Sequence, residues 1–148
     1  MGTEKSIILG SDHAAHDLKE NIKLYLLQMG HVVEDVGTHG SQSVHYPEYG
    51  GKVATRVSDG EFKTGILMCG TGLGMSMVAN RYPGVRAALC NGLFSAAMSR
   101  RHNDANILVM GGRVIGVDLA REIVRVFLET PFEGGRHQLR IDLFDKTP

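Results

Sequence analysis

The run Gly65-Ile66-Leu67-Met68-Cys69-Gly70-Thr71-Gly72-Leu73-Gly74-Met75-Ser76 takes an apolar segment into a cysteine and then into a glycine-rich loop. It continues as Met77-Val78-Ala79-Asn80-Arg81, so it reads as a buried strand, a tight turn and a helix start. A thiol at a strand end, beside converging backbone N–H groups, can act as a base or nucleophile next to a developing negative charge. The glycine spacing excludes two phosphate loops. A dinucleotide fingerprint starting at Gly70 or Gly72 requires a third glycine at 75 or 77, where Met75 and Met77 stand. The absence of a Gly-Lys-Ser/Thr ending excludes a nucleotide P-loop. Two readings remain open: a cradle for a phosphate or transient oxyanion, or a turn that needs glycine for its backbone alone.

Other residue types bear on the same question, each with a plain alternative. Cys69 is either a base that takes a proton from carbon, helped by the helix start that follows it, or a small buried apolar group, the commoner role of cysteine. Cys90 lies within an apolar strand ending and reads as core. His102-Asn103-Asp104 follows a helix carrying Arg100 and Arg101, a place suited to proton transfer near neutral pH or simply an exposed helix end. Arg113, Arg136 and Arg140 can fork onto a phosphate, although singly each reads as a solvated charge. His13 and His16 are three apart, but no cysteine or carboxylate cluster completes a metal set, so no metal is expected. His31, His39 and His45 read as ordinary loop or strand-edge residues.

These residues need a frame. Short apolar runs at 7–9, 31–36, 65–69, 85–90 and 107–110 alternate with helical patterns at about 14–29, 48–58, 73–81, 94–101 and 117–128. Gly30 is placed to end the first helix, Pro47 to start the second, and Pro131 to stop the last. The alternation predicts a three-layer, Rossmann-like α/β fold, with a five-stranded parallel sheet in the order 2-1-3-4-5. Residues 1–148 read as one domain. In such a sheet Asp12, His13, the 69–74 loop, Asn91 and Arg113 all fall on the carboxyl edge, where ligands bind. The polar tail from about 131 to 148 has no βα role and is suited to reach another subunit.

Composition narrows the function. The 148 residues carry zero net charge, with 16 basic and 16 acidic side chains and no basic tract for nucleic acid. No apolar run approaches the roughly 18 residues of a membrane span. The start lacks a signal-peptide pattern, and two cysteines without framework spacing fit free thiols in a cytoplasmic protein.

The combination resembles the ribose-5-phosphate isomerase B family, which also holds allose-6-phosphate isomerase and the galactose-6-phosphate isomerase subunits. The matching pieces are Gly10-Ser11-Asp12-His13, Asp35-Val36-Gly37-Thr38, Tyr46-Pro47, Cys69 to Gly74, Ala79-Asn80-Arg81, Ser99 to Asn106, and Glu133-Gly134-Gly135-Arg136-His137. They span essentially the whole chain. The resemblance implies an aldose–ketose isomerase of sugar phosphates that uses no metal and no cofactor. It implies Cys69 as the base working through a cis-enediolate, since the glutamate that some relatives use at position 75 is Met75 here. It further implies that Thr71 and the N–H groups of Gly70, Gly72 and Gly74 stabilise the enediolate. His102, helped by Asp12, would open the sugar ring; Asn103 would hold hydroxyls, and Tyr46 would line the site. His13, Arg113, Arg136 and Arg140 would hold the phosphate. Sites shared across a homodimer, or a dimer of dimers, are implied as well, with residues 102–103 and the tail arginines coming from the neighbour. The family's aspartate before Tyr-Pro is replaced by His45, which bears on substrate preference. Ribose 5-phosphate is the expected substrate. A hexose 6-phosphate, or a sensing role without catalysis, is the rival.

Overall fold

A computed structural model describes residues 5–148; residues 1–4, part of the start read as lacking a leader, lie outside the described residues. The strands are β1 (Ser6–Ser11), β2 (Val32–Asp35), β3 (Thr64–Cys69), β4 (Ala87–Leu89) and β5 (Ile107–Gly111). The helices are α1 (His16–Gln28), α2 (Tyr46–Ser58), α3 (Leu73–Ala79), α4 (Leu93–Arg101), α5 (Val117–Glu129) and α6 (Arg136–Asp145), with a 3-10 turn at His13–Ala15. All strand pairs are parallel, and the sheet runs β2-β1-β3-β5-β4. No helix among the described residues is long and apolar enough to cross a membrane.

The three layers follow from alternation along the strands. Ile7, Leu9, Ile66, Met68, Leu108 and Met110 point to one face, where α1 and α5 cover them with Leu18, Ile22, Leu26, Ile123, Val124 and Phe127. Ile8, Leu67, Cys69, Ile107 and Val109 point to the other, under Val53, Ala54 and Val57 of α2 and Met75 and Ala79 of α3. Right-handed crossovers fix this division. The connections through α2 and α3 run toward the β4 edge and lie on one face. Those through α1 and α4 run the opposite way and lie on the other. The direction reverses between β1 and β3, so their carboxyl ends open a crevice there.

The expected order 2-1-3-4-5 is corrected at its last pair. β5 is Ile-Leu-Val-Met-Gly, buried along its whole length, as an interior parallel strand requires. β4 is only Ala-Ala-Leu, half-buried throughout, and suits an edge. The tail, read from the sequence as polar and without a βα role, holds a ten-residue helix, α6. It is weakly amphipathic, with His137 and Ile141 its buried residues.

The other sheet edge is held by charge. Lys19 on α1 is fully buried and donates to Asp35 Oδ2 at 2.6 Å, and Lys23 reaches the same oxygen at 3.2 Å. The Gly37 N–H donates to Asp35 Oδ1 at 2.8 Å. Burial alone raises the pKa of this carboxyl, but the bonds from Lys19, Gly37 and Lys23 outweigh it and hold Asp35 below the ordinary carboxylate value. The ionised form therefore stabilises the fold above the unfolded pKa of about 3.9, and this contribution is lost as pH falls through the native value. Lys19→Met should cost on the order of 3 kcal/mol at neutral pH, because Asp35 loses its closest partner. Urea titrations of both proteins at pH 7 and near pH 3 check this: the difference should shrink in acid, whereas a constant gap would mean lost packing instead.

Candidate active site

The carboxyl ends of β1, β3 and β5 converge as the strand pattern requires. Cys69 is in register with Gly111, the Gly112 N–H donates to the Cys69 carbonyl at 2.9 Å, and the Arg113 N–H donates to the Gly70 carbonyl at 2.9 Å. The loop after β5 is thus laced to the loop after β3. A Cβ on Gly111 would stand 2.6 Å from the Thr71 carbonyl carbon, so the two loops touch through backbone alone.

Within the 69–74 loop, Gly72 sets the geometry. Its φ is +84°, and a Cβ there would lie 2.4 Å from Leu89 Cδ1 and 3.2 Å from the Met110 carbonyl carbon. In that conformation its N–H donates to Cys69 Sγ at 3.2 Å. The sulfur is 5% exposed as a residue, so it sits at the rim of the core with one donor already aimed at it. Thr71 is exposed, and its Oγ1 accepts the Leu73 N–H at 3.2 Å, leaving its own O–H to donate. Tyr46, the first residue of α2, lays its ring against Gly74, where a Cβ would come within 2.4 Å of Cε1.

Two further groups close on this loop. Asp12 is buried and caps the 3-10 turn, accepting the Ala15 N–H at 3.3 Å. His13 accepts the Val44 N–H on Nδ1 at 3.1 Å, so the neutral ring carries its proton on Nε2. The Arg113 guanidinium lies over Gly70, Nη1 being 3.4 Å from where a Cβ would stand, with the Ala14 methyl 3.7 Å away on the same spot. Asp12, His13, Tyr46, Cys69, Thr71 and Arg113 therefore gather at one crevice.

His102, Asn103, Arg136 and Arg140 do not join them within the chain. Helices in this sheet run antiparallel to the strands, so α4 returns His102 and Asn103 to the amino edge, just before β5. Five residues of β5, at roughly 3.3 Å each, separate that edge from Arg113 by about 16 Å. The turn there is firmly built. Asp104 adopts φ +46° and accepts Arg100 Nη1 at 2.9 Å, while Arg86 reaches Asp104 and Asp145 of α6. The Glu133 N–H donates to the Arg101 carbonyl at 3.1 Å, which brings α6 against the end of α4. There the His102 and His137 rings stack, centroids 4.3 Å apart and planes 13° from parallel. Burial lowers the His137 pKa below the usual histidine range, with further lowering from the charges of His102 and Arg136 and partial opposition from Glu133.

The arginines sort by their partners. Arg56, Arg86, Arg100 and Arg125 are committed to carboxylates of their own chain. Arg113, Arg136 and Arg140 have no ion pair among the described residues and are exposed. The two cysteines also separate: burial pushes the Cys90 thiol up, slightly offset by Ser99, and it packs as core. Met75 is fully buried against Gly50, away from solvent. Sequence reasoning assigned no role to Glu133 or His137. Their spacing of four was the local signal, although Glu133 precedes α6 and Gly134 and Gly135 between them take positive φ.

The family model described as Ribose/Galactose Isomerase matches residues 7–144. The ribose-5-phosphate isomerase B of Escherichia coli (strain K12) is 46% identical over 138 residues, covering 93% of each chain. The D-erythrulose-4-phosphate isomerase of Pectobacterium atrosepticum is 44% identical over 131 residues, covering 88% of this chain and 86% of the relative. The crystal structure of the ribose 5-phosphate isomerase of Thermotoga maritima superposes with a TM-score of 0.94 at 54% identity, covering 96% of this chain and 98% of that one. The chain belongs to the ribose/galactose isomerase family.

Proposed function

We propose that this protein interconverts ribose 5-phosphate and ribulose 5-phosphate by proton transfer at Cys69, in a site completed by a second copy of the chain. The observation that carries the reading is the Gly72 N–H held on Cys69 Sγ at 3.2 Å, in a loop packed against Arg113. That donor is aimed at the sulfur assigned here as the base. The thiolate takes the proton from C2 of the open-chain aldose, and the electron pair forms the C1–C2 double bond of a cis-enediolate. The same sulfur returns a proton to C1 while the hydroxyl proton on the C2 oxygen passes to the C1 oxygen, leaving the ketone at C2. Charge builds on oxygen only between these steps, which is where the Thr71 hydroxyl and the N–H groups of Gly70 and Gly74 act, joined by that of Gly72 once the sulfur has taken the proton. His13 and Arg113 hold the phosphate from one side. His102, Asn103, Arg136 and Arg140 come from the neighbour, His102 opening the furanose with Asp12 and the arginines completing the phosphate grip.

Two features support the shared site. The second residue set stands at the opposite end of its own sheet, so only another chain can bring it to Cys69. The exposed apolar residues are also divided: Leu73, Leu93 and Phe94 stand near the crevice, while Leu139 and Leu143 lie on α6. A two-fold dimer joins these unlike patches twice, with the tail from about 131 packing on the partner. The buried, free Cys69 and Cys90 suit a reducing compartment such as the cytoplasm. The Tyr46 ring closed onto Gly74 limits room over the glycine loop and favours a pentose over a hexose.

Cys69→Ala should lower kcat by roughly a thousandfold with phosphate-ligand binding retained, and should abolish carbon-bound deuterium uptake in deuterated water. Near-full activity in that variant would overturn the mechanism. Mixing Cys69→Ala with His102→Asn should restore roughly a quarter of wild-type sites, since half the dimers are mixed and each then holds one intact site. If both residues served the same chain's site, the mixture would stay inactive. His45 begins α2 without a side-chain cap bond, so His45→Asp should raise stability by about 1 kcal/mol, read as an increased melting temperature. The ratio of kcat/KM for ribose 5-phosphate and allose 6-phosphate, measured on the same variant, reports whether this position also sets preference.

A further inference from the structure

The cluster at the end of α4 contains more than the proposed proton-transfer group. His102, Glu133 and His137 each offer one ligand atom, and those atoms lie within 4.8 Å of one another. Glu133 Oε1 is 3.5 Å from His137 Nε2 and 3.9 Å from His102 Nε2. The His102 distance is too long for a hydrogen bond, so this carboxylate does not account for that nitrogen. The set is two imidazoles and one carboxylate, the donor chemistry of a zinc site that keeps an open position for water.

The geometry is close to what an ion needs. Metal–nitrogen bonds of about 2.1 Å place tetrahedral donors about 3.4 Å apart. The Glu133–His137 pair already meets that spacing. His137 is fixed, its side chain 8% exposed, whereas His102 and Glu133 are 43% and 51% exposed and can turn inward. The parallel stack must open so that both nitrogen lone pairs converge, and that movement falls on His102. The backbone beneath is held, because the Glu133 N–H bonds the Arg101 carbonyl and the His137 N–H bonds the Gly134 carbonyl, each at 3.1 Å. Arg136 and Arg140 on the same helix oppose a dication, which points to reversible rather than resident occupancy.

We infer that His102, Glu133 and His137 form a binding site for a Zn²⁺-class divalent cation, and that its occupation withdraws His102 from catalysis. The binding half stands on the cluster alone. The inhibitory half rests on the role proposed above for His102. The metal performs no step of the isomerisation; it competes for the imidazole that the reaction uses.

The test uses the full chain carrying Cys69→Ser and Cys90→Ser, so that thiolates do not compete for metal. Titration with Co²⁺ followed by visible absorption, and with Zn²⁺ by calorimetry, should show one site per chain. Glu133→Gln, an exposed change that leaves folding intact, and His137→Ala should each weaken binding at least tenfold. No uptake, or uptake unchanged by both substitutions, overturns the site. In the cysteine-containing enzyme, Zn²⁺ should inhibit isomerisation at the concentration at which it binds. Chelator should reverse the inhibition, and Glu133→Gln should need at least tenfold more metal. A thiolate charge-transfer band appearing with inhibition would place the ion on Cys69 and overturn the inhibitory half. Binding with undiminished turnover would overturn that half while leaving the metal site standing.

Discussion

Everything at the crevice depends on the left-handed turn at Gly72. Its backbone conformation is the one that points an N–H at Cys69 Sγ, and the space a side chain would need is filled by Leu89 and the Met110 backbone. Two elements therefore press on a single glycine, one from the edge strand and one from the strand beside β3. The core behind the loop is what makes the donor stay in place, since a close-packed interior resists small displacements. Charge stabilisation of this kind works only when the donors are already aimed before charge appears.

The sheet imposes the second constraint. Parallel strands with helical crossovers send every α-helix back to the amino edge, so residues at the end of a helix and residues at the end of a strand cannot meet in one chain. Arg86 makes this separation rigid. It bonds the Asp104 carbonyl at 2.9 Å and pairs with Asp145 on α6, which ties the 102–106 turn and the final helix to the start of β4. The far end is thus held as firmly as the crevice, although nothing in its own chain uses it.

Much of this was legible in the sequence, for physical reasons that can be named. The carboxyl-edge residues were found because strand ends carry the polar groups that interrupt apolar runs, and Cys69, Asp12 and Arg113 each follow such a run directly. The strand order was misread because chain order was taken for spatial order. The unbroken apolar run of β5 against the short Ala-Ala-Leu of β4 was the corrective signal. Helix α6 was missed because its amphipathic stripe is weak and two glycines precede it. The contact between His102 and His137 is a tertiary fact between distant segments, one that no local pattern encodes. The gathering of Glu133 with those two rings follows from it.

The division of polar residues between the two ends of the sheet has a consequence in mass action. Under the proposed assembly, each chain alone carries two incomplete halves. Below the dissociation constant of the pair, turnover follows the square of chain concentration rather than its first power. Synthesis rate then governs flux more steeply than it would for a self-sufficient enzyme. A substitution at one end can also be offset by an intact copy, so two differently damaged alleles can together support what neither does alone.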